Sequence, residues 1–205
     1  MKKTKKQTAK KGPACVECGA TMRTEKGDFK FTITPRWAVT IADSELHTCP
    51  KCGNHEGTVV RASALERKIA AEVLAKDSPL APDEVKFLVE SFDWTKRQVA
   101  ARLGIAPETL SRYEQGAYRI SPAVDRLLRL MVAVLYVRDQ ELASAVVSNP
   151  IAGKTADPLK LTLRLDQSGE YQVISESRVL PGRVRNRGVA HSAPLSARPE
   201  LGAEG

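Results

Sequence analysis

All four cysteines of the chain fall in two copies of one short pattern, Cys15-Val16-Glu17-Cys18-Gly19 and Cys49-Pro50-Lys51-Cys52-Gly53. Two residues between the sulfurs let one tight turn present both thiolates to a metal, and the glycine that follows lets the backbone bend so that amides approach the sulfurs. Two such turns complete a tetrahedral four-sulfur shell with no position open for a catalytic water. The competing readings are a disulfide framework, which needs an oxidising compartment, and a redox dithiol, which uses a single Cys-x-x-Cys on a βαβ unit; the sequence signals neither. The pattern therefore predicts one structural Zn2+ per chain, held by Cys15, Cys18, Cys49 and Cys52. His47 and His55 flank the second pair and could replace a cysteine, although each reads better as a surface residue. Between the pairs Phe29, Phe31 and Ile33 alternate, then Trp37, Val39 and Ile41, with Pro35-Arg36 between them, which is the signature of a hairpin. Residues 13–60 thus read as a zinc ribbon in which the metal supplies stability that so small a core cannot.

A second pattern runs from Lys96 to Gln115, KRQVAARLGIAPETLSRYEQ. Val99, Leu103, Ile105 and Leu110 are placed to pack two short helices together, Ala100 is small where they cross, and Gly104 suits the positive φ of a tight inter-helix turn. Pro107 fits the first position of a new helix, because its fixed φ is already helical and its missing N–H would have had no intrahelical partner. On that helix Leu110 and Tyr113 face inward, while Glu108, Thr109, Ser111 and Arg112 lie on its outward N-terminal turns, the part such helices insert into the major groove. Lys96 and Arg97, at the N-terminus of the preceding helix behind a Thr95 cap, are placed for a phosphate. Glu108, four residues before Arg112, either orients that guanidinium or is a solvated charge. The bland alternative is a helical hairpin whose glycine merely ends a helix. A supporting helix in front favours the DNA-binding reading: after Pro82, Val85, Leu88, Val89 and Phe92 recur at helical spacing, with Asp83 and Glu84 in a first turn where the helix dipole favours them.

The remaining segments connect or flank these two. Ser63 and Glu66 offer a capping box for a helix whose apolar face carries Leu65, Ile69, Val73 and Leu74. Asp77 to Pro82 then breaks that helix and reads as a linker. Ser121-Pro122 starts a long helix that is apolar almost all round from Leu127 to Val137, which suits either a dimer seam or burial within one chain. Leu159, Leu161, Leu163 and Leu165 alternate, Asp166 to Gly169 turn, and Tyr171 and Val173 alternate again, giving a second hairpin.

The formal net charge of +8 invites a nucleic-acid reading, but its location matters more than its size. Residues 1–12 carry six lysines and no acid, and residues 176–205 carry five arginines against three acids, so the 163 residues between are balanced at 21 basic and 21 acidic. The basic arm and the Arg, Gly, Pro and Ser-rich tail are predicted to be disordered. No apolar signal segment and no membrane-spanning run is visible, so a cytoplasmic, nucleoid-associated protein that does not engage a membrane is expected.

With SRYEQG closing the second helix, residues 82 to about 131 resemble the Cro and lambda-repressor-like (XRE) helix-turn-helix family. The order of a two-knuckle ribbon, a connecting helix and an XRE-type domain resembles MqsA-type (YgiT zinc-finger) antitoxins over roughly residues 15 to 131. That resemblance implies a ribbon that grips a toxin, a C-terminal domain that dimerises, and a dimer that represses its own operon. It also implies Cys15, Cys18, Cys49 and Cys52 as zinc ligands and Arg112 as a base reader. The family's polar amide one turn before that arginine is Glu108 here, which can accept from cytosine N4 but cannot read adenine bidentately.

The expected fold class is α+β: an N-terminal zinc ribbon, an all-α lambda-repressor-like helix-turn-helix domain, a short C-terminal β-hairpin and disordered tails. The expected divisions are a basic arm at 1–12, the ribbon at 13–60, a connecting helix and linker at 61–81, the helix-turn-helix domain with its long last helix at 82–149, the hairpin at 150–175 and the tail at 176–205. Two functions follow. One is a sequence-specific regulator that binds double-stranded DNA as a homodimer, and the other is an antitoxin whose ribbon binds a small toxin protein. No phosphate-binding glycine loop, open metal site or nucleophile constellation points to an enzyme.

Overall fold

The computed structural model describes residues 10–151 and 156–178. Most of the two tails expected to be disordered lies outside them. Residues 10–12, expected within the basic arm, instead begin β1 (Lys10–Ala14), which pairs antiparallel with β2 (Thr21–Thr34). Backbone pairing of this kind needs no apolar side chain. β2 turns at Pro35-Arg36 into β3 (Trp37–Thr48), as the alternation predicted, and the short β4 (His55–Gly57) pairs with the far end of β3.

Helix α1 (Ala62–Ala75) follows, buried along Leu65, Ile69, Val73 and Leu74. Its start differs from expectation. Ser63 and Glu66 form no capping box; the N-cap is Arg61 in the left-handed region at φ 54°, and Arg61 Nη1 donates to the Gly169 carbonyl at 2.6 Å. That contact ties the start of the helix to the turn at Gly169, but it supplies no acceptor to the helix's free amides. Helices α2 (Pro82–Glu90), α3 (Lys96–Arg102), α4 (Pro107–Gln115) and α5 (Pro122–Val132) come next. α5 does not run on as one long α-helix: Ala133–Val137 is a π-helical turn, Arg138 is left-handed at φ 61°, and α6 (Gln140–Ser148) leaves in a new direction.

The C-terminal hairpin, β5 (Leu159–Leu165) and β6 (Tyr171–Arg178), returns to the ribbon rather than standing apart. β5 pairs parallel with β3, Thr40 against Thr162 and Ile41 against Leu163, so the sheet order is β1-β2-β3-β5-β6. One apolar cluster then joins Trp37, Val39 and Ile41 of β3, Leu159, Leu161 and Leu163 of β5, and the inner faces of α1 to α6. Trp37 fixes this junction. Its indole N–H donates to the Leu159 carbonyl at 2.6 Å, and its ring meets Phe87 edge-on at 5.5 Å.

Polar groups inside this core hold the pieces in register. Asp83, which the sequence placed only near a helix dipole, accepts from Thr34 Oγ1 at 2.7 Å and pairs with Arg36 at 3.1 Å, bolting α2 to the β2–β3 turn. Glu84 is fully buried and accepts from Lys76 Nζ, from the Ala81 amide at 2.7 Å and from the Leu159 amide at 3.0 Å. Burial pushes the Glu84 carboxyl up and the Lys76 ammonium down, each opposed by the partner's charge. Arg129 bonds Asp125 at 2.6 Å and donates to the carbonyls of Val73, Leu74, Lys76 and Ser78, which closes the open C-terminus of α1. Asp125 also accepts from the Leu80 amide at 2.8 Å. Asp77 to Pro82, expected as a plain linker, is therefore a strap anchored to the core: Ser78, Leu80 and Ala81 are buried while Asp77 stays exposed.

Candidate metal centre and nucleic-acid interface

The two knuckles are built as their spacing demands. In each, the glycine adopts a positive φ, 70° at Gly19 and 76° at Gly53, and its amide donates back to the first cysteine's carbonyl, at 2.9 Å for Gly19 to Cys15 and 3.0 Å for Gly53 to Cys49. β2 and β3 bring the two turns together across the sheet. The four sulfurs lie within 4.8 Å of one another, with Cys15 to Cys52 at 3.6 Å and Cys18 to Cys49 at 3.5 Å. A zinc–thiolate bond of about 2.3 Å sets tetrahedral sulfurs about 3.8 Å apart, so the donor set and its spacing fit zinc, whereas a disulfide needs about 2.05 Å. The amides of Cys52 and Lys51 hold the Cys49 thiol down to about 6, outweighing its burial and predisposing it to the thiolate a metal requires. Cys52 goes the other way, to about 12: the Asn54 amide lowers it, but the neighbouring thiols and burial prevail.

Neither histidine joins the cluster. His47 is half-buried rather than on the surface and contacts Thr24 at 2.9 Å and Thr58 at 3.0 Å, whereas His55 is exposed and contacts Thr48 at 2.9 Å. Asn54 was missed by the sequence reading; its side-chain amide lies 3.8 Å from Cys15 Sγ and 2.6 Å from Glu56, a support for the sulfur shell that a lone asparagine after a knuckle does not advertise.

Some distance along the chain, α3 and α4 form a compact pair. Thr95 caps α3 by accepting from the Gln98 amide, and Gln98 returns a bond from its side chain to the Thr95 amide at 2.8 Å. Gly104 sits at φ 68° in the turn, and Pro107 opens α4. Val99, Ala100, Leu103, Leu110 and Tyr113 are buried between α3, α4 and α2, as the spacing predicted. Residues 85–133 match the helix-turn-helix family model. The match spans α2 through α5 and supports a DNA-binding transcription regulator of the XRE type. No curated protein and no solved structure matches the chain.

Within this helix-turn-helix, Glu108 and Arg112 are exposed and Thr109 and Ser111 half-exposed along one side of α4. Arg97 is exposed at the start of α3. Lys96 differs from expectation in one respect, since its ammonium bonds Glu114 of α4 at 2.5 Å and so ties the two helices together. Arg112 is not paired with Glu108; its guanidinium lies over the ring of Tyr118, 5.3 Å from the centroid. Arg102 is occupied over Trp94 at 3.9 Å, and Trp94 stacks on Phe92 at 4.8 Å. Tyr118 escaped the sequence reading because it lies beyond the glycine that closes the recognition helix. Its only signal was an aromatic in a polar loop.

Proposed function

We propose that this protein is a dimeric, sequence-specific transcriptional repressor that reads double-stranded DNA with α4 and is braced by a structural zinc ion in its ribbon. The observation that carries the reading is the helix-turn-helix match over 85–133, whose α4 presents Glu108, Thr109, Ser111 and Arg112 outward. In this reading Arg112 forks onto guanine O6 and N7, Glu108 accepts from a neighbouring cytosine, and Thr109 and Ser111 pack at the groove floor and walls. Arg97 and the N–H groups of Lys96 not taken by Glu114 neutralise phosphates. Cys15, Cys18, Cys49 and Cys52 hold one zinc per chain, which supplies folding energy and no chemistry.

The test uses a duplex enriched from a random-sequence pool by the wild-type protein. Arg112→Ala is expected to cost roughly 1 to 3 kcal/mol on the enriched duplex and little on the unselected pool. Arg97→Ala should weaken both alike and lower the slope of log affinity against log salt by about one. Equal weakening of selected and unselected DNA by Arg112→Ala would remove Arg112 from the base-reading role.

Dimerisation is supported by the apolar side chains left uncovered on α5 and its π turn, where Leu127, Val134 and Leu135 are 39%, 48% and 49% exposed. A single module covers too few base pairs for useful affinity, so two copies with half-sites about one helical turn apart are expected. Sedimentation should give a dimer at micromolar concentration, and Leu135→Asp should give a monomer that protects only half of the site. A monomer for the wild-type chain, with an undivided footprint, would contradict this.

A second reading, an antitoxin that also represses its own operon, is supported by the order of ribbon and XRE-type domain and by the exposed ribbon end, where Val16 protrudes from the first knuckle. Sequencing of the genes on either side for a small toxin-sized reading frame, then co-expression with any found there and pull-down with and without Val16→Asp, tests it. Capture that is lost with the substitution supports the reading, and failure to capture removes it.

A further inference from the structure

The chain leaves α4 by a tight reversal. Gly116 takes a left-handed conformation at φ 75°, and the amides of Ala117 and Tyr118 both point back to the Arg112 carbonyl, at 2.9 and 3.4 Å. A side chain at Gly116 would face both the strained φ and Pro82 Cγ at 3.1 Å from its Cβ, so the reversal is held against the start of α2. Its effect is to deliver the Tyr118 ring beside the one arginine of α4. The guanidinium carbon of Arg112 stands 5.3 Å from the ring centroid, inside the range in which an aromatic face attracts a cation. Tyr118 is 55% exposed and belongs to no part of the apolar core, so packing does not account for its place.

We propose that Tyr118 is a positioning residue for Arg112, holding the guanidinium over its ring so that the fork approaches a base edge already restricted in direction. This rests on the reading of Arg112 as a base reader. Arginine carries several rotatable bonds, and an exposed arginine ordinarily loses their freedom when it docks. A ring that restricts them beforehand lowers that cost for the correct base, whose O6 and N7 fix one orientation of the fork, more than for a phosphate, whose several oxygens accept the fork in many orientations. The gain is therefore one of selectivity. A cation over a ring at an exposed site shifts an equilibrium by about two- to fivefold, and the selectivity effect should be of that size.

Phenylalanine and alanine substitutions separate the ring from the hydroxyl, which could by itself reach a phosphate. Affinities are measured for the full-length protein on the duplex enriched by wild type and on the unselected pool, and their ratio is the readout. Tyr118→Phe should keep that ratio, and Tyr118→Ala should lower it about two- to fivefold with an unchanged thermal midpoint. A repeated selection with Tyr118→Ala should show one guanine position of the motif relaxed and the others intact. In an Arg112→Ala background, Tyr118→Ala should lower the ratio no further. If Arg112→Ala lowers the ratio while Tyr118→Ala leaves it unchanged, or if Phe and Ala behave alike, the positioning role is overturned and the base-reading role of Arg112 stands. If Arg112→Ala itself leaves the ratio unchanged, the underlying reading fails and this proposal falls with it.

Discussion

Removal of the zinc proposed for the four-sulfur cluster, by chelation or by Cys49→Ser, is expected to unfold the knuckle end of the sheet and leave the rest of the protein folded. The reason lies in how the apolar residues divide. Cys15, Met22 and Cys49 form a small cluster of their own, against which, among the described residues, Cys18 and Ala20 pack. Such a cluster cannot offset the entropy of ordering the two knuckles, whereas structural zinc binding in small modules contributes on the order of 10 kcal/mol or more. The other end of the same hairpin is anchored differently. Trp37, Val39 and Ile41 are buried against the helices and β5. Amide exchange should therefore become fast for residues 15–24 and 46–57 while Trp37, Val39, Ile41 and α2 to α5 stay protected, and DNA affinity should persist. Metal analysis that found no zinc in freshly purified protein, or global unfolding on chelation, would contradict this division.

Arg129→Ala should have the second large effect, a loss of about 3 to 5 kcal/mol measured by urea unfolding. The side chains of Arg129 and Asp125 are 2% and 1% exposed, so truncating the arginine leaves a buried carboxylate without its counter-ion. It also leaves the carbonyls of Val73, Leu74, Lys76 and Ser78 without their donor. Because those carbonyls belong to the end of α1 and the strap that leads into α2, the loss should act on the whole core and appear in a single cooperative transition. A change below about 1 kcal/mol would mean that water reaches these groups and that the burial described is not maintained in solution.

What the sequence made legible was local. The Cys-x-x-Cys-Gly pairs specify their own turns, the alternation of Phe29 to Ile41 specifies a hairpin, and Gly104 with Pro107 specifies the break between α3 and α4, because each depends on the conformational limits of a few adjacent residues. What stayed hidden depends on residues far apart. Asp83 and Glu84 read as dipole-favoured acids, yet their partners are Thr34, Arg36, Lys76 and the amide of Leu159. The alternation in Leu159 to Leu165 announces a strand but not its neighbour, and the parallel pairing with β3 follows from leucines that can be covered only by the shared helical core. The same holds at the candidate interface. Glu108 and Arg112 satisfy the spacing for an ion pair, but the reversal at Gly116 brings Tyr118 to the guanidinium instead. Lys96 likewise spends part of its charge on Glu114, 18 residues further along the chain on the next helix.

The central functional claim is that α4 reads a base sequence, and its most direct measurement is genome-wide mapping of DNA cross-linked to the protein in its own host. The wild-type chain is expected to give a small number of discrete sites sharing one motif of two half-sites about one helical turn apart, and Arg112→Ala, at equal cellular abundance, is expected to lose those sites while retaining diffuse background. Discrete sites that survive Arg112→Ala unchanged, or a wild-type profile with no shared motif, would contradict it.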